Sequence, residues 1–131
     1  MDNCVFCQIV ARILPCDLVY EDDHFLAFLD INPVRQGHTL VISKEHHASI
    51  IDMPEALLGQ SFVLSQHIMR AMKSALGCDF VMVSVVGTDV PHFHIQLIPR
   101  SFDDGLKGWP TMKYQADESE QTAAAIKRQM S

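Results

Sequence analysis

The sequence predicts an α+β fold with an antiparallel sheet, and three observations carry that expectation. The predicted elements run in the order helix, three strands, helix, two strands, helix. The strands within each group are joined by short loops, which suits antiparallel pairing better than crossover units. The chain has 131 residues, 48% hydrophobic and 20% charged, the size and composition of one globular unit rather than of a disordered chain. Residues 1–131 are therefore read as a single domain with no repeat, low-complexity tract or linker.

Residues 4–12 (CVFCQIVAR) can form a short helix with Val5, Phe6 and Ile9 inward, ended by Leu14-Pro15 because the residue before proline avoids helical dihedrals. Leu18–Glu21 reads as a strand, Asp22-Asp23 as a turn, and Phe25–Asp30 (FLAFLD) as an apolar strand. After the loop 32–37, His38–Ser43 (HTLVIS) is a third strand rich in β-branched residues. A long central helix starts near Asp52, where Asp52 and Glu55 have capping-box spacing and Pro54 sits in the first turn. Leu57, Leu58, Val63, Leu64, Ile68, Met69 and Met72 recur at helical spacing, and Gly77 suits a C-cap. Asp79–Val86 (DFVMVSVV) is nearly continuous in apolar character and reads as a strand buried on both faces. Gly87–Pro91 turns, His92–Pro99 is the fifth strand, 101–116 is irregular, and a last helix capped at Asp117 with Glu120 runs toward Met130.

Charge and composition exclude several functions. The net charge is −6, so there is no basic footprint for a nucleic-acid polymer. No apolar run approaches the roughly 20 residues that span a bilayer, so no membrane partner is expected. The N-terminus has no basic region before its apolar stretch and does not read as a signal peptide. Four cysteines without such a signal argue for a reducing compartment, hence a cytoplasmic protein. Cys4 and Cys7 form a C-x-x-C pair; Cys16 and Cys78 read as small buried hydrophobes. No organic cofactor is expected. Seven histidines against ten lysines and arginines is a high ratio for the residue that titrates near neutrality and ligates metals.

The stretch Pro91-His92-Phe93-His94-Ile95-Gln96-Leu97-Ile98-Pro99 carries the chemistry. Side chains alternate along a strand, so His92, His94 and Gln96 share one face while Phe93, Ile95 and Leu97 enter the core. Three polar side chains in a row are either solvated or form a site, since burial without partners is costly. Two chemistries fit: two imidazoles presented to one zinc ion, or attack on phosphorus by a neutral imidazole with Gln96 and a second histidine steadying the phosphoryl oxygens. Periodicity alone does not separate them.

The H-F-H-I-Q-L-I segment resembles the His-φ-His-φ-His-φ-φ signature of the histidine-triad (HIT) family, with Gln96 in place of the third histidine. Three further segments resemble the same family in the same order: the opening C-V-F-C-Q-I-V, then Tyr20-Glu21-Asp22-Asp23 with Phe28-Leu29-Asp30-Ile31-Asn32-Pro33, and Gly37-His38-Thr39-Leu40-Val41-Ile42 followed by Lys44 and His46. The resemblance covers nearly the whole chain. It implies a HIT-like fold: a five-stranded antiparallel sheet with a short N-terminal helix, one long central helix and a C-terminal helix. It also implies a homodimer.

The activity implied is that of a nucleotide hydrolase or nucleotidyltransferase acting on nucleoside-monophosphate esters, anhydrides or phosphoramidates. His94 corresponds to the nucleophile that would carry a transient nucleotidyl group. That role is chemically sound, because imidazole is a good nucleophile and, once cationic, a good leaving group from phosphorus. His92 and Gln96 complete the catalytic face, and His38 corresponds to a histidine supporting the nucleophile or phosphoryl oxygens. Asp30 corresponds to the acid that grips the ribose hydroxyls, although a turn residue after a strand is an equal reading of the bare sequence. Phe6, Ile9, Phe28, Leu29 and Ile31 match positions lining the base pocket. Cys4, Cys7, His46 and His92 resemble a structural zinc set, with His47 the rival of His46. His24 and His67, and His47 if it is not a ligand, remain as surface residues.

Two departures bear on function. A glutamine at position 96 resembles the H-x-H-x-Q form of transferase and phosphorylase branches; its amide can donate to a phosphoryl oxygen but cannot take up a proton. Asp89 falls where many members have a serine that contacts the leaving group, and a carboxylate there would repel a leaving phosphate unless it faces away. Arg35, Lys44, Arg100 and Lys107 are the cations that could meet a polyphosphate. Two alternatives stay open: a non-catalytic nucleotide-binding or sensing module, and a catalytic zinc with His38 as third ligand.

Overall fold

A computed structural model describes residues 3–130. Its elements are α1 (Val5–Val10), β1 (Leu18–Glu21), β2 (Phe25–Leu29), β3 (Thr39–Ser43), α2 (Glu55–Leu76), β4 (Phe80–Ser84), β5 (His94–Arg100) and α3 (Glu118–Gln129), with one 3-10 turn at Ile50–Asp52. The strands form one antiparallel sheet in the order β1-β2-β3-β5-β4. This is the α+β architecture expected from the sequence, with its long central helix.

The two faces of the sheet are packed differently. Phe25, Ala27 and Leu29 of β2, Val41 of β3, and Phe93, Ile95 and Leu97 lie against Leu64, Ile68 and Met72 of α2 and Ala123 and Ile126 of α3. On the opposite face, Leu26, Phe28, Leu40 and Ile42 meet Phe6 and Ile9 of α1. The β3–β5 register sets Ile42 opposite His94 and Leu40 opposite Gln96. The even-numbered residues of β5 therefore share the α1 face, as alternation requires.

Several local expectations are corrected. β4 is an edge strand with Phe80 and Val83 exposed, not a strand buried on both faces. An apolar run cannot distinguish the centre of a sheet from an edge with exposed apolar side chains. Val5 is exposed while Phe6 and Ile9 are buried, because a short helix packed on a sheet buries only one stripe. α2 has Pro54 at its N-cap with no side-chain cap; Asp52 belongs to the preceding 3-10 turn and accepts a hydrogen bond from the Ser49 hydroxyl. Asp117 stands at the α3 N-cap in a left-handed conformation, φ 66°, and makes no cap bond; the Gln115 N–H is instead satisfied by the Glu118 carboxylate. Gly77 does close α2 in the left-handed conformation, its N–H donating to the Lys73 carbonyl. Gly37, φ 97°, is closed in by Leu76, so a side chain there would clash just before His38.

Candidate active site

His92, His94 and Gln96 are all buried, with exposures of 0, 2 and 6%. None is solvated, so each must find partners inside the protein. The regular strand begins at His94, so His92 sits in the turn before it, with its N–H bonded to the Val90 carbonyl.

Backbone carbonyls and one backbone N–H set the imidazole tautomers. A carbonyl only accepts, so the nitrogen facing it carries the proton. His94 Nδ1 donates to the His92 carbonyl at 2.8 Å, leaving the Nε2 lone pair free. His92 Nε2 donates to the Ser43 carbonyl at 2.6 Å, leaving Nδ1 as the free base. His38 Nδ1 accepts from the Val34 N–H at 3.0 Å, so its Nε2 donates to Gln96 Oε1 at 3.0 Å. That bond fixes the Gln96 amide with its NH₂ group turned away from His38.

Burial holds His38 below the ordinary imidazole pKa range, opposed by the Asp30 carboxylate and the Gln96 contact. Burial lowers His92 as well, against the pull of the Ser43 carbonyl. Both rings are therefore held neutral at neutral pH.

The remaining candidates fall into three groups. Phe6, Ile9, Phe28, Leu29, Asp30 and Ile31 line one cleft of about 320 Å³. Leu29 belongs mainly to the helix-side core, and Ile31 is an exposed rim residue at 73%. Phe6 joins the cleft to the histidines, its ring edge-on to Phe28, His92 and His94 at centroid distances of 5.7, 5.8 and 5.1 Å. Asp30 Oδ1 accepts the Asn32 N–H, as a turn residue does, and Oδ2 lies 3.8 Å from His38 Nε2. A larger groove of about 600 Å³ between β1 and α2 includes His67 but none of the paired histidines.

Cys4, Cys7, His46 and His92 form the second group, their four ligand atoms all within 4.8 Å of one another. His92 Nδ1 is 3.4 Å from Cys4 Sγ and 3.5 Å from Cys7 Sγ, and His46 Nδ1 is 3.2 Å from Cys7 Sγ. Ligand-to-ligand edges of about 3.3–3.8 Å follow from tetrahedral bonds of zinc to nitrogen and sulfur, so this donor set fits such an ion. The His92 tautomer also fits, because its free nitrogen is the one facing the thiols. Burial, reinforced by Cys4, pushes the Cys7 thiol up. His46, not His47, joins the cluster; His47 is half-buried rather than a surface residue, and its Nε2 has no partner. His38 contacts Gln96 and Asp30 and, among the described residues, does not join this metal group.

Asp89 is the third. Its exposed carboxylate, 71% accessible, lies 3.7 Å from His94 Nε2. Of the four cations, Arg35 and Arg100 are both bound to Asp104, and Lys44 pairs with Glu21 at 2.7 Å. Lys107 makes no ion pair among the described residues.

Some residues near the site had no signal in the sequence. Asp104 accepts from Arg35, Arg100 and the N–H groups of Ser101 and Leu106, and Arg100 holds its carboxyl well below the usual range. This knot anchors the irregular segment that brings Trp109 edge-on to His38 at 6.0 Å. Tyr114 accepts the Gly37 N–H, and the Met112 N–H donates to the Pro33 carbonyl, so the segment is stapled over the 30–37 loop. Leu14, Pro15 and Cys16 also line the cleft, Cys16 half-buried rather than buried, while Cys78 is buried as expected.

A five-stranded antiparallel sheet bearing His-x-His-x-Gln on an inner strand, beside a cleft closed by a one-and-a-half-turn helix, defines the class. The HIT domain family model matches residues 11–103, and the chain belongs to that family. It is 38% identical over 113 residues to a HIT-like protein of Borreliella burgdorferi, covering 81% of each chain. It is 31% identical over 120 residues to the adenosine 5′-monophosphoramidase HNT1 of Saccharomyces cerevisiae, covering 88% of this chain and 75% of that one. Among solved structures, a zinc-bound histidine triad family protein from Mycobacterium smegmatis superposes with a TM-score of 0.88 at 30% identity, covering 98% of this chain and 94% of the other. The family thus includes nucleotide hydrolases. No helix of the described residues is long and apolar enough to cross a membrane.

Proposed function

We propose that this protein is a nucleotide hydrolase or nucleotidyltransferase that works through a covalent nucleotidyl group on His94. One observation carries the reading: the His92 carbonyl accepts a hydrogen bond from His94 Nδ1–H, which leaves the Nε2 lone pair available beside the cleft. Naming of the yeast relative as a phosphoramidase supports it.

The nucleoside base would occupy the apolar cleft between Phe6, Ile9 and Phe28, and Asp30 Oδ2 would accept from a ribose hydroxyl. His94 Nε2 attacks the α-phosphorus; the bond from phosphorus to the leaving atom breaks, and its electron pair departs with that atom. The Gln96 NH₂ group, aimed by the His38 bond, donates to a phosphoryl oxygen as charge accumulates there. Water or another acceptor then attacks the phosphorus, and the P–N bond returns its electron pair to Nε2.

Cys4, Cys7, His46 and His92 would hold a structural zinc, supported by the converging donors and by the zinc-bound relative. When bound it supplies cross-linking, pinning α1 to the turn whose carbonyl orients His94, and no bond-making chemistry. A homodimer is supported by the exposed edge β4, and a cytoplasmic setting by four free thiols. A nucleotide-binding module without chemistry is the second reading, favoured by the carboxylate of Asp89 beside His94.

His94→Ala is expected to lower turnover of adenosine 5′-phosphoramidate by about a thousandfold or more while nucleotide affinity by calorimetry survives. An acid-labile nucleotidyl adduct should form on the wild type and not on the variant. No wild-type turnover of phosphoramidate or dinucleoside polyphosphates, with affinity intact, selects the binding module instead.

A further inference from the structure

We infer that Tyr114 is a positioning residue for the active site: its hydroxyl fixes the backbone at Gly37, and through it the His38 ring that aims the Gln96 amide. The inference deepens the covalent reading of His94 and rests on it for the catalytic consequence.

Gly37 directly precedes His38, both are buried, and the regular strand β3 begins only at Thr39. A buried N–H needs an acceptor, and the Gly37 N–H finds one in a side chain, donating to the Tyr114 hydroxyl at 2.9 Å. The Gly37 carbonyl accepts from Thr39 Oγ1 at 2.8 Å. Gly37 has no side chain that packing could hold and is the most freely turning kind of residue, so these two hydroxyls locate it.

A displacement at Gly37 falls on one particular bond. The His38 ring accepts from the Val34 N–H and donates to Gln96 Oε1, each at 3.0 Å, and the His38 N–H donates to the Arg35 carbonyl. Val34 and Arg35 lie in the same loop as Gly37 and move with it. Gln96 lies on β5, held in register by Leu40 and Ser84 on its two sides, and does not. The link that gives is therefore His38 to Gln96, the one that aims the amide.

Tyr114 is itself a fixed point. Its ring packs against the helix-side core, and burial pushes its phenol up to about 12, so the hydroxyl stays neutral at any working pH. Its neighbours are tied down on both sides: the Met112 N–H to the Pro33 carbonyl, Lys113 Nζ to Asn32 Oδ1, and the Gln115 N–H to the Glu118 carboxylate.

The chain has two tyrosines, and Tyr20 is a matched control. It packs against the same core, and its hydroxyl donates to Asp22 Oδ2 at 2.9 Å, in the turn between β1 and β2. Phenylalanine at either position removes one hydrogen bond and keeps the ring, but only at Tyr114 is the lost bond next to His38.

The test compares Tyr114→Phe and Tyr20→Phe with wild type, thermal unfolding confirming that both variants fold. In proton–nitrogen correlation spectra the fully buried His38 Nε2–H should give a slowly exchanging imidazole signal, assigned by its absence from His38→Asn. Tyr114→Phe is expected to speed exchange of that proton about tenfold or more, and Tyr20→Phe to leave it unchanged. On adenosine 5′-phosphoramidate, Tyr114→Phe is expected to lower kcat about tenfold with KM nearly unchanged, because a mis-aimed amide is missed most where charge builds toward the transition state. Tyr20→Phe should keep the wild-type kcat. An unchanged His38 signal in Tyr114→Phe, equal changes in both variants, or a rise in KM alone overturns the inference and leaves the His94 mechanism standing. Absence of the signal from wild type also overturns it, since the ring is then not held. No turnover by wild type, with the signal altered only in Tyr114→Phe, overturns the covalent reading and leaves the positioning of His38 in place.

Discussion

Phe93, Ile95 and Leu97 face α2 and α3 and touch apolar side chains, whereas His92, His94 and Gln96, interleaved with them, face α1 and are equally buried. The odd-numbered set needs only matching volume, since dispersion and the hydrophobic effect are not directional. The even-numbered set needs polar partners, and each residue has one: Ser43 and Cys4 for His92, the His92 carbonyl for His94 Nδ1, and His38 for Gln96 Oε1, with His94 Nε2 left free. The difference teaches that one strand holds two kinds of order. The apolar face supplies stability, and the polar face converts that stability into fixed tautomers.

The sharpest way to break this comparison is to substitute neighbours. Ile95 is fully buried, so Ile95→Ala is expected to cost about 2–5 kcal/mol, read as a shift in the denaturation midpoint. Gln96→Leu keeps the volume but orphans the His38 Nε2–H, at a cost of about 1–3 kcal/mol. Gln96→Leu should lower kcat steeply, while Ile95→Val should leave it nearly intact. Equal loss of kcat from the two conservative changes would mean that the faces are not functionally separate.

The polar face also has a metal end, and here the comparison can be sharpened by ligand. Added zinc at a hundredfold excess over its Kd is expected to stabilise wild type by about 3 kcal/mol in thermal unfolding. Cys7→Ser should abolish that gain because the cluster loses a thiolate, whereas Cys16→Ser, outside the cluster, should retain it. A zinc-dependent stabilisation that survives Cys7→Ser would place the ion elsewhere.

How much of this was legible beforehand follows the same division. Strict alternation in His92–Leu97 marks the two faces directly, because period two is local. The Cys4, Cys7, His46 and His92 grouping came from resemblance to a family, since no local rule joins residues 85 positions apart. Tautomers were not legible: they depend on which carbonyl the fold brings to each ring, and Ser43 lies 49 residues from His92. The anchor Asp104 and the placement of Trp109 against His38 were hidden for the same reason, in a segment without periodicity. The Asp52 cap failed because the Asp-x-x-Glu spacing is also satisfied by a turn that merely precedes a helix, whereas Asp117 does hold the α3 N-cap position but in a left-handed conformation and without a side-chain cap bond.

The smallest effect tests whether the polar face really depends on neutral rings. Burial depresses His38, against the opposing pull of Asp30, so the folded protein binds a proton there less readily than the unfolded chain. Where the unfolded state holds more protons, unfolding free energy rises with pH. The His38 contribution is therefore fully present above the ordinary imidazole pKa of about 6.5 and is lost as pH falls below it toward the depressed folded value. His94 and Asp30 also face this ring, and both remain in His38→Asn. The variant should thus show a shallower loss of stability between neutral and mildly acidic pH than wild type, measured by denaturant unfolding at matched ionic strength. A charged His38 could still donate to Gln96 Oε1, but its protonated Nδ1 would face the Val34 N–H, turning an acceptor into a second donor. An identical pH slope in variant and wild type would show that the His38–Gln96 pair tolerates the charge, and that neutrality on this face is confined to the turn at His92.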